Sequence, residues 1–428
     1  MKQKRPPWYF LVLLILAGES VFVVPFIIVR VFRPAVLEVF HLSNLELGFC
    51  FSILGVIAFF SYFFGGPLAD KYPPRKLIAV ALWMTALGGV YYYQIPGYTG
   101  LKILYGYWGF TTIFLFWAPM IKAARVWGGA TSQGKAFGFL DGGRGLVGAL
   151  FGALGLLIFS LLLGDDIQMS DAEETRKALQ QVIMYSSIIV AIVGVFVWFF
   201  MKLDRQIEKE ISIEKIQVSQ IKEVLALPSV WLLMMIILCA YVGYKITDII
   251  SLYAQEVMLY DHVKSAQIGT FLLFMRMIIG TIIGLLADKT ESTFLLIISF
   301  GLTLIASLAI ALGFITASLT LLFILSILIL STGVYAARSL YFAVMEKGNI
   351  PVILTGTAVG LISLIGYAPD IFIGPIMGHL LDSSPGLKGH QHVFWMLVLF
   401  SIMGSIAAFV YYRMFGRKKG SMLEGKND

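Results

Sequence analysis

The chain has 428 residues, 59% of them hydrophobic and only 13% charged, with 32 Lys and Arg against 25 Asp and Glu for a formal net charge of +7. A soluble domain carries roughly 45–50% apolar and about 25% charged residues, so this composition excludes a water-soluble fold. The positive charge is spread over many connections and not over one face, which argues against a nucleic-acid surface; Cys50 and Cys239 both lie inside apolar blocks, which leaves no disulfide framework or thiolate metal site.

The apolar residues come in blocks of about 20, the length that crosses a hydrocarbon core about 30 Å thick. The first block, 8–30, follows the basic stretch Lys2 to Arg5; no small-residue cleavage site ends it, so it is expected to be a retained helix and not a removed leader. Further helices are expected at 45–69, 77–95, 101–124, 136–163 and 181–201. The longest polar connection, 202–227, is dense in Lys and Glu and is closed by Pro228. Six more helices follow at 229–255, 264–287, 293–313, 318–343, 355–378 and 392–415. The predicted fold class is an all-α membrane protein of twelve transmembrane helices in two six-helix bundles, 1–201 and 228–428, joined by a cytoplasmic linker, 202–227, and ending in a short cytoplasmic tail.

Lys and Arg concentrate in the connections that share a side with both termini, which places the termini inside. The connection after the fifth helix, with Asp165, Asp166, Asp171, Glu173 and Glu174, then falls outside, as do His41, His262, His379, His390 and His392 near the outer ends. Those histidines suit solvated or interfacial positions better than metal ligation.

A short repeat marks the two halves. The second helix ends in Gly66-Pro-Leu-Ala-Asp70-Lys71 and the eighth in Gly284-Leu-Leu-Ala-Asp288-Lys289. Glycine permits close helix approach, and a carboxylate at a helix end can cap a neighbour or pair with a base, which suits a cytoplasmic gate; a plain tight turn with topology-setting charge is the alternative. With Arg75-Lys76 behind it, the first copy resembles the loop motif of the major facilitator superfamily, and helix number, central linker and repeat position extend the resemblance over essentially the whole chain. It implies the major facilitator fold and transport by alternating access.

Charges inside the helices are the best functional candidates, because each costs at least about 2.5–3.5 kcal/mol to insert and must face a cavity or a partner. The basic ones are Arg30, Arg144, Lys245, Arg276 and Arg338; the acidic ones are Glu19, Asp141, Asp248 and Asp370. Asp141 and Arg144 lie three apart on the fifth helix, as do Lys245 and Asp248 on the seventh, so each pair shares a face and can neutralise itself, for structure or for function. Tyr241 and Tyr244, one turn before members of the second pair, add ring and hydroxyl to that side. Glu19 and Arg30 share a stripe of the first helix but stand roughly 16 Å apart, too far to pair with each other.

The other charges each have two readings. Arg30 lines the pathway or snorkels to the headgroups, and Glu19 is a coupling carboxylate or a protonated acid bonded to a neighbouring helix. Arg276, near the middle of the eighth helix with no acid within a turn, is a substrate arginine or half of a cross-helix pair. Arg338, between Tyr335 and Tyr341, is part of an aromatic-basic strip or an interface anchor; Asp370, after Gly366-Tyr-Ala-Pro369, lines a lumen or braces a hinge. With the two local pairs set aside, three arginines stand against two carboxylates. That balance favours an anion gripped by guanidinium groups, with Glu19 and Asp370 as proton carriers and Asp141 and Asp248 behind them.

Two stretches carry a more specific resemblance. Phe116-Trp-Ala-Pro-Met-Ile-Lys122 continuing to Phe137-Gly-Phe-Leu-Asp141-Gly-Gly-Arg144, and Thr355-Gly-Thr-Ala-Val-Gly360 continuing to Leu381-Asp382, are similar to a bacterial group labelled nitrate/nitrite-porter-like. True nitrate porters have an arginine on the second helix, whereas Leu45 to Ala69 holds no basic residue. Arg30 and Lys245 also resemble, more loosely, the basic pair that organophosphate:phosphate antiporters place on the first and seventh helices. The fifth-helix glycines, Gly138 to Gly155, suit close packing, and no proline of an antiporter motif interrupts them.

The expected function is a secondary active transporter for a small organic anion, proton-coupled, working as a monomer in the inner membrane. Its partners are a small-molecule substrate, protons and the lipid bilayer, with no cofactor, no metal and no nucleic acid. A transporter-like sensor and an efflux pump for amphipathic compounds are the alternatives. An enzyme is not expected, since no nucleophile or metal constellation lies within the spans.

Overall fold

The computed structural model describes residues 6–128, 133–163, 172–202, 218–287, 290–341, 344, 348, 350–351 and 354–416. Among these residues every regular element is helical. In a bilayer only a helix or a closed barrel satisfies all its backbone hydrogen bonds, and the long apolar blocks select the helix. We label the long helices α1 (Trp8–Val31), α2 (Asn44–Lys71), α3 (Pro74–Tyr93), α4 (in two pieces, Tyr98–Gly109 and Trp117–Gly128), α5 (Gln133–Leu163) and α6 (Ala172–Phe200). They continue as α7 (Pro228–Glu256), α8 (His262–Ala287), α9 (Ser292–Ala311), α10 (Thr320–Leu340), α11 (Thr355–Gly366 and Pro369–Ser383) and α12 (Leu387–Tyr411).

Ten of these stretches are long and apolar enough to cross a membrane. The other two of the twelve are α3, which carries Arg75 and Lys76 in its first turn, and α4, which the π-helical turn Phe110–Phe114 breaks into short pieces. The sixth helix starts at Ala172 and not near 181, because Ala-Glu-Glu-Thr-Arg-Lys is a good helix former with acids in its first turn. Past α1 a short helix not foreseen from sequence, Arg33–Val39, turns the chain toward α2. Pro25 makes Val23–Ile27 a π-helical bulge inside α1, and α11 breaks at Tyr367 and Ala368 before Pro369.

The chain divides into two compact units. The first combines the helices from Trp8 to Phe200 with Thr247–Met277 and Asp370–Gly389; the second combines Glu214–Ile246, Ile278–Pro369 and the chain from His390 onward. The boundaries fall within α7, α8, α11 and α12. In the first unit the core is aromatic: Tyr92 stacks on Phe40 at 4.7 Å and sets its ring against Trp108, which also meets Tyr105. In the second, Leu233, Ile237, Phe300, Leu340 and Tyr411 form the core, and the Tyr411 hydroxyl donates to the Val344 carbonyl. Leu161, Ile103, Leu321 and Ile406 are among many large apolar side chains left exposed, as lipid-facing positions require.

Candidate functional site

In the first unit, α1, α5 and α8 bring one carboxylate and two guanidinium groups together. Glu19 is 2% exposed; its Oε1 accepts from Arg276 Nη1 at 2.7 Å, and its Oε2 accepts from Arg144 Nε at 3.1 Å and Arg276 Nη2 at 3.5 Å. Arg276 and Arg144 are 7% and 8% exposed. Glycine makes the room. A Cβ on Gly148 would lie 3.0 Å from Glu19 Oε1, one on Gly18 would lie 3.2 Å from Arg144 Cδ, and one on Gly145 would lie 3.2 Å from the Met277 backbone. The fifth-helix glycines therefore admit α8 and the buried ion cluster. Arg144 also faces the rings of Phe22 and Trp117, at 5.3 and 5.8 Å.

A second buried pair joins α1 to α7. Arg30 Nε donates to Asp248 Oδ1 at 2.5 Å, and Ser251 Oγ donates to the Arg30 carbonyl at 2.9 Å. Arg30 is 3% exposed and is not a snorkelling residue. Asp248 reaches it from the 3-10 turn Thr247–Ile249, which interrupts α7 just after Lys245.

For Arg144 the partner differs from the one its spacing suggests. Arg144 takes its carboxylate from α1, while Asp141 is exposed. Asp248 bridges to Arg30 across 218 positions of chain. Sharing a helical face permits an i, i+3 contact worth only a few tenths of a kcal/mol, so a buried partner on another helix outweighs it. Arg276 has a cross-helix carboxylate, one of the two readings its sequence left open.

In the second unit, the Arg338 guanidinium stacks 3.8 Å from the ring centroid of Tyr244 on α7. Tyr244 sets an edge against Tyr335, Tyr241 packs on Tyr244 and Tyr367, and the hydroxyls of Tyr341 and Tyr367 lie 3.2 Å apart. Lys245 is buried on the same helix. Asp370, part-buried, opens the second piece of α11 in the first unit, where a Cβ on Gly55 of α2 would meet its carbonyl oxygen at 2.8 Å.

Of the gate motif, Gly66 and Asp70 fall in the last turns of α2, Lys71 is exposed with its ammonium over the Tyr72 ring, and Arg75 donates to the Trp198 carbonyl at 3.3 Å. Gly284 faces open space on α8; Asp288 lies outside the described residues. Two buried cations were not singled out from sequence. Lys122 donates to the Ala69 carbonyl at 3.0 Å, in the last turn of α2, and Arg33 bonds to Asn44. Burial lowers the Arg33 pKa from its ordinary value, and the charges of Asp248, Glu256 and Asp382 oppose that shift. A lysine inside an Ala-rich helix and an arginine just past an apolar block were the available signals.

Long apolar helices, with buried charges paired between α1, α5, α7 and α8, define a polytopic membrane protein of the solute-carrier kind. The model of the Major Facilitator Superfamily matches residues 9–375, and the chain belongs to that family. It is thus a membrane transporter and not an enzyme. Two relatives from Escherichia coli strain K12 are similar over most of their length. Inner membrane protein YqcE is 27% identical over 86% of each chain, and inner membrane protein YihN is 26% identical over 98% of each. Among solved structures, a bacterial homolog of the human lysosomal transporter Spinster, in an inward-facing and occupied conformation, superposes with a TM-score of 0.69 at 16% identity, covering 96% of this chain and 97% of the other. At that identity the likeness concerns the fold.

Proposed function

We propose that the protein is a secondary active transporter that moves a small organic anion across the inner membrane by alternating access, coupled to protons. The observation that carries this reading is the Glu19 carboxylate shared between Arg144 and Arg276 inside the first unit. Two guanidinium groups on one carboxylate leave one formal positive charge, and with the Arg30 and Asp248 pair the set is three guanidiniums to two carboxylates. In a low-dielectric interior such a surplus favours an anion.

Glu19 is itself a carboxylate on a side chain, so it occupies the two arginines as a substrate carboxylate or phosphate would. Protonating Glu19 releases the arginines to the substrate; deprotonating it displaces the substrate. One proton and one anion then move as linked events. The sequence halves 1–201 and 228–428 are the moving bundles in this reading, with 202–227 as their linker and the protein acting as a monomer. The names of the Escherichia coli relatives support the inner membrane as its location. Of the nitrate/nitrite-porter-like group we carry over an anionic substrate and not nitrate itself, since Leu45 to Ala69 supplies no arginine.

Thermal unfolding of detergent-purified protein against a panel of monocarboxylates, sugar acids, phosphate esters and organic cations at two pH values tests the reading, followed by uptake of the hits into proteoliposomes. Anions are expected to raise the melting temperature, and Arg276→Ala to abolish both that rise and uptake. Stabilisation by cations alone, or an undiminished anion response in Arg276→Ala, overturns it.

A further inference from the structure

The N-terminus of α2 is capped from two directions. Its own sequence supplies a capping box: Ser43 Oγ accepts from Glu46 N at 3.1 Å, and the Glu46 carboxylate accepts from Ser43 N at 2.9 Å. The next two amides are taken by α11. Asp382 Oδ1 accepts from Asn44 N and Asn44 Nδ2, both at 3.1 Å, and Asp382 Oδ2 accepts from Leu45 N at 2.7 Å. Arg33 holds the other end of the Asn44 amide, donating to Asn44 Oδ1 from Nε at 3.3 Å and from Nη2 at 3.0 Å.

Glycines set the helices close enough for this. Gly374, Gly378 and Asp382 recur every four residues along one face of α11. A Cβ on Gly378 would overlap the Asn44 carbonyl, and one on Gly374 would lie 2.8 Å from the Gly48 oxygen. Backbones packed on backbones cannot slide by a fraction of a side chain, so the contact is either made or broken.

The capping box already starts α2, and water satisfies the amides of Asn44 and Leu45 wherever this helix end is wet. The Asp382 carboxylate is therefore not needed to form the helix. Its bonds tie together segments 338 positions apart, and the positive end of the helix dipole adds to them.

We infer that Asp382, with Asn44 steadied by Arg33, is a gating residue that latches the second piece of α11 to the N-terminus of α2 and sets how often this end of the protein opens. The inference rests on the alternating-access reading and names the contact that must break in each cycle. When Asp370–Gly389 withdraws from α2, three hydrogen bonds to one carboxylate are lost together and replaced by water.

The test uses a single thiol. In full-length protein carrying Cys50→Ser and Cys239→Ser, Met377→Cys puts the thiol at a buried position of α11, and Leu340→Cys gives a control thiol buried in the second unit. The rate of modification by a small maleimide reports opening. Asp382→Asn is expected to raise the rate at position 377 about tenfold, the equilibrium shift that loss of one charge-assisted hydrogen bond produces, with no rise at position 340. Asn44→Ala, which loses the Nδ2 bond but retains both backbone bonds to Asp382, is expected to give a smaller rise and serves if Asp382→Asn does not fold. No change at 377, or equal rises at both positions, overturns the latch. Anion-dependent stabilisation that needs Arg276, with position 377 unchanged, sinks the latch and leaves the transport reading standing; gated access at 377 without any anion response does the reverse.

Discussion

Glu19 Oε1 lies 2.7 Å from Arg276 Nη1, a bond between the first and eighth helices across 257 positions of chain. Because the same carboxylate also holds Arg144, its removal takes a partner from two buried cations at once. Glu19→Gln preserves shape and removes the charge. Without ligand it is expected to destabilise the protein by about 3–5 kcal/mol, the range for stripping one partner from a buried ion pair. Added anion should restore much of that loss at lower concentrations than the parent protein requires, and the response should no longer depend on pH. Melting curves with and without anion at two pH values read all three effects; an anion response weaker than the parent's contradicts the displacement mechanism.

The Arg30 and Asp248 pair calls for a cycle of substitutions. Arg30→Ala and Asp248→Ala each remove one member of a buried pair and are expected to cost about 3–5 kcal/mol, whereas the double variant should lose less than the sum of the two. Additive losses in the melting temperatures would mean that the two side chains do not stabilise each other.

Gly148 is predicted to matter through space alone. A Cβ there would stand 3.0 Å from Glu19 Oε1, and valine adds two methyl groups beyond it. Gly148→Val should push the carboxylate away from Arg144 and Arg276 and shift the pH dependence of anion-induced stabilisation, while Gly138→Val, where nothing lies within 4 Å, should leave it unchanged. Equal behaviour of the two variants would remove glycine spacing from the account of the cluster.

Tyr244 offers Arg338 an aromatic face at 3.8 Å. A cation–π contact of this kind is worth about 0.5–2 kcal/mol, so Tyr244→Leu should lose that much stability and Tyr244→Phe, which retains the face, very little. A large loss in Tyr244→Phe would place the stabilisation in the hydroxyl instead.

Much of the architecture is legible in the sequence. Apolar block length, the polar stretch 202–227 and the repeated Gly-x-Leu-Ala-Asp-Lys determined an all-helical, twelve-span transporter fold, because crossing a bilayer leaves a long apolar segment few structural options. The break before Pro369 was legible too, since proline removes a hydrogen-bond donor wherever it stands. Charged residues within apolar blocks were visible as candidates by their cost alone.

Their partners were not visible. Spacing suggested Asp141 with Arg144, whereas tertiary packing gave Arg144 to Glu19; it also gave Asp248 a bond to Arg30 that spacing does not show. Lys122, Arg33 and the capping of α2 by Asp382 likewise needed the fold. The physical reason is range: hydrophobicity and proline act on the residues beside them in the chain, while a buried charge pairs with whichever opposite charge the packed helices bring within about 3 Å, regardless of sequence distance.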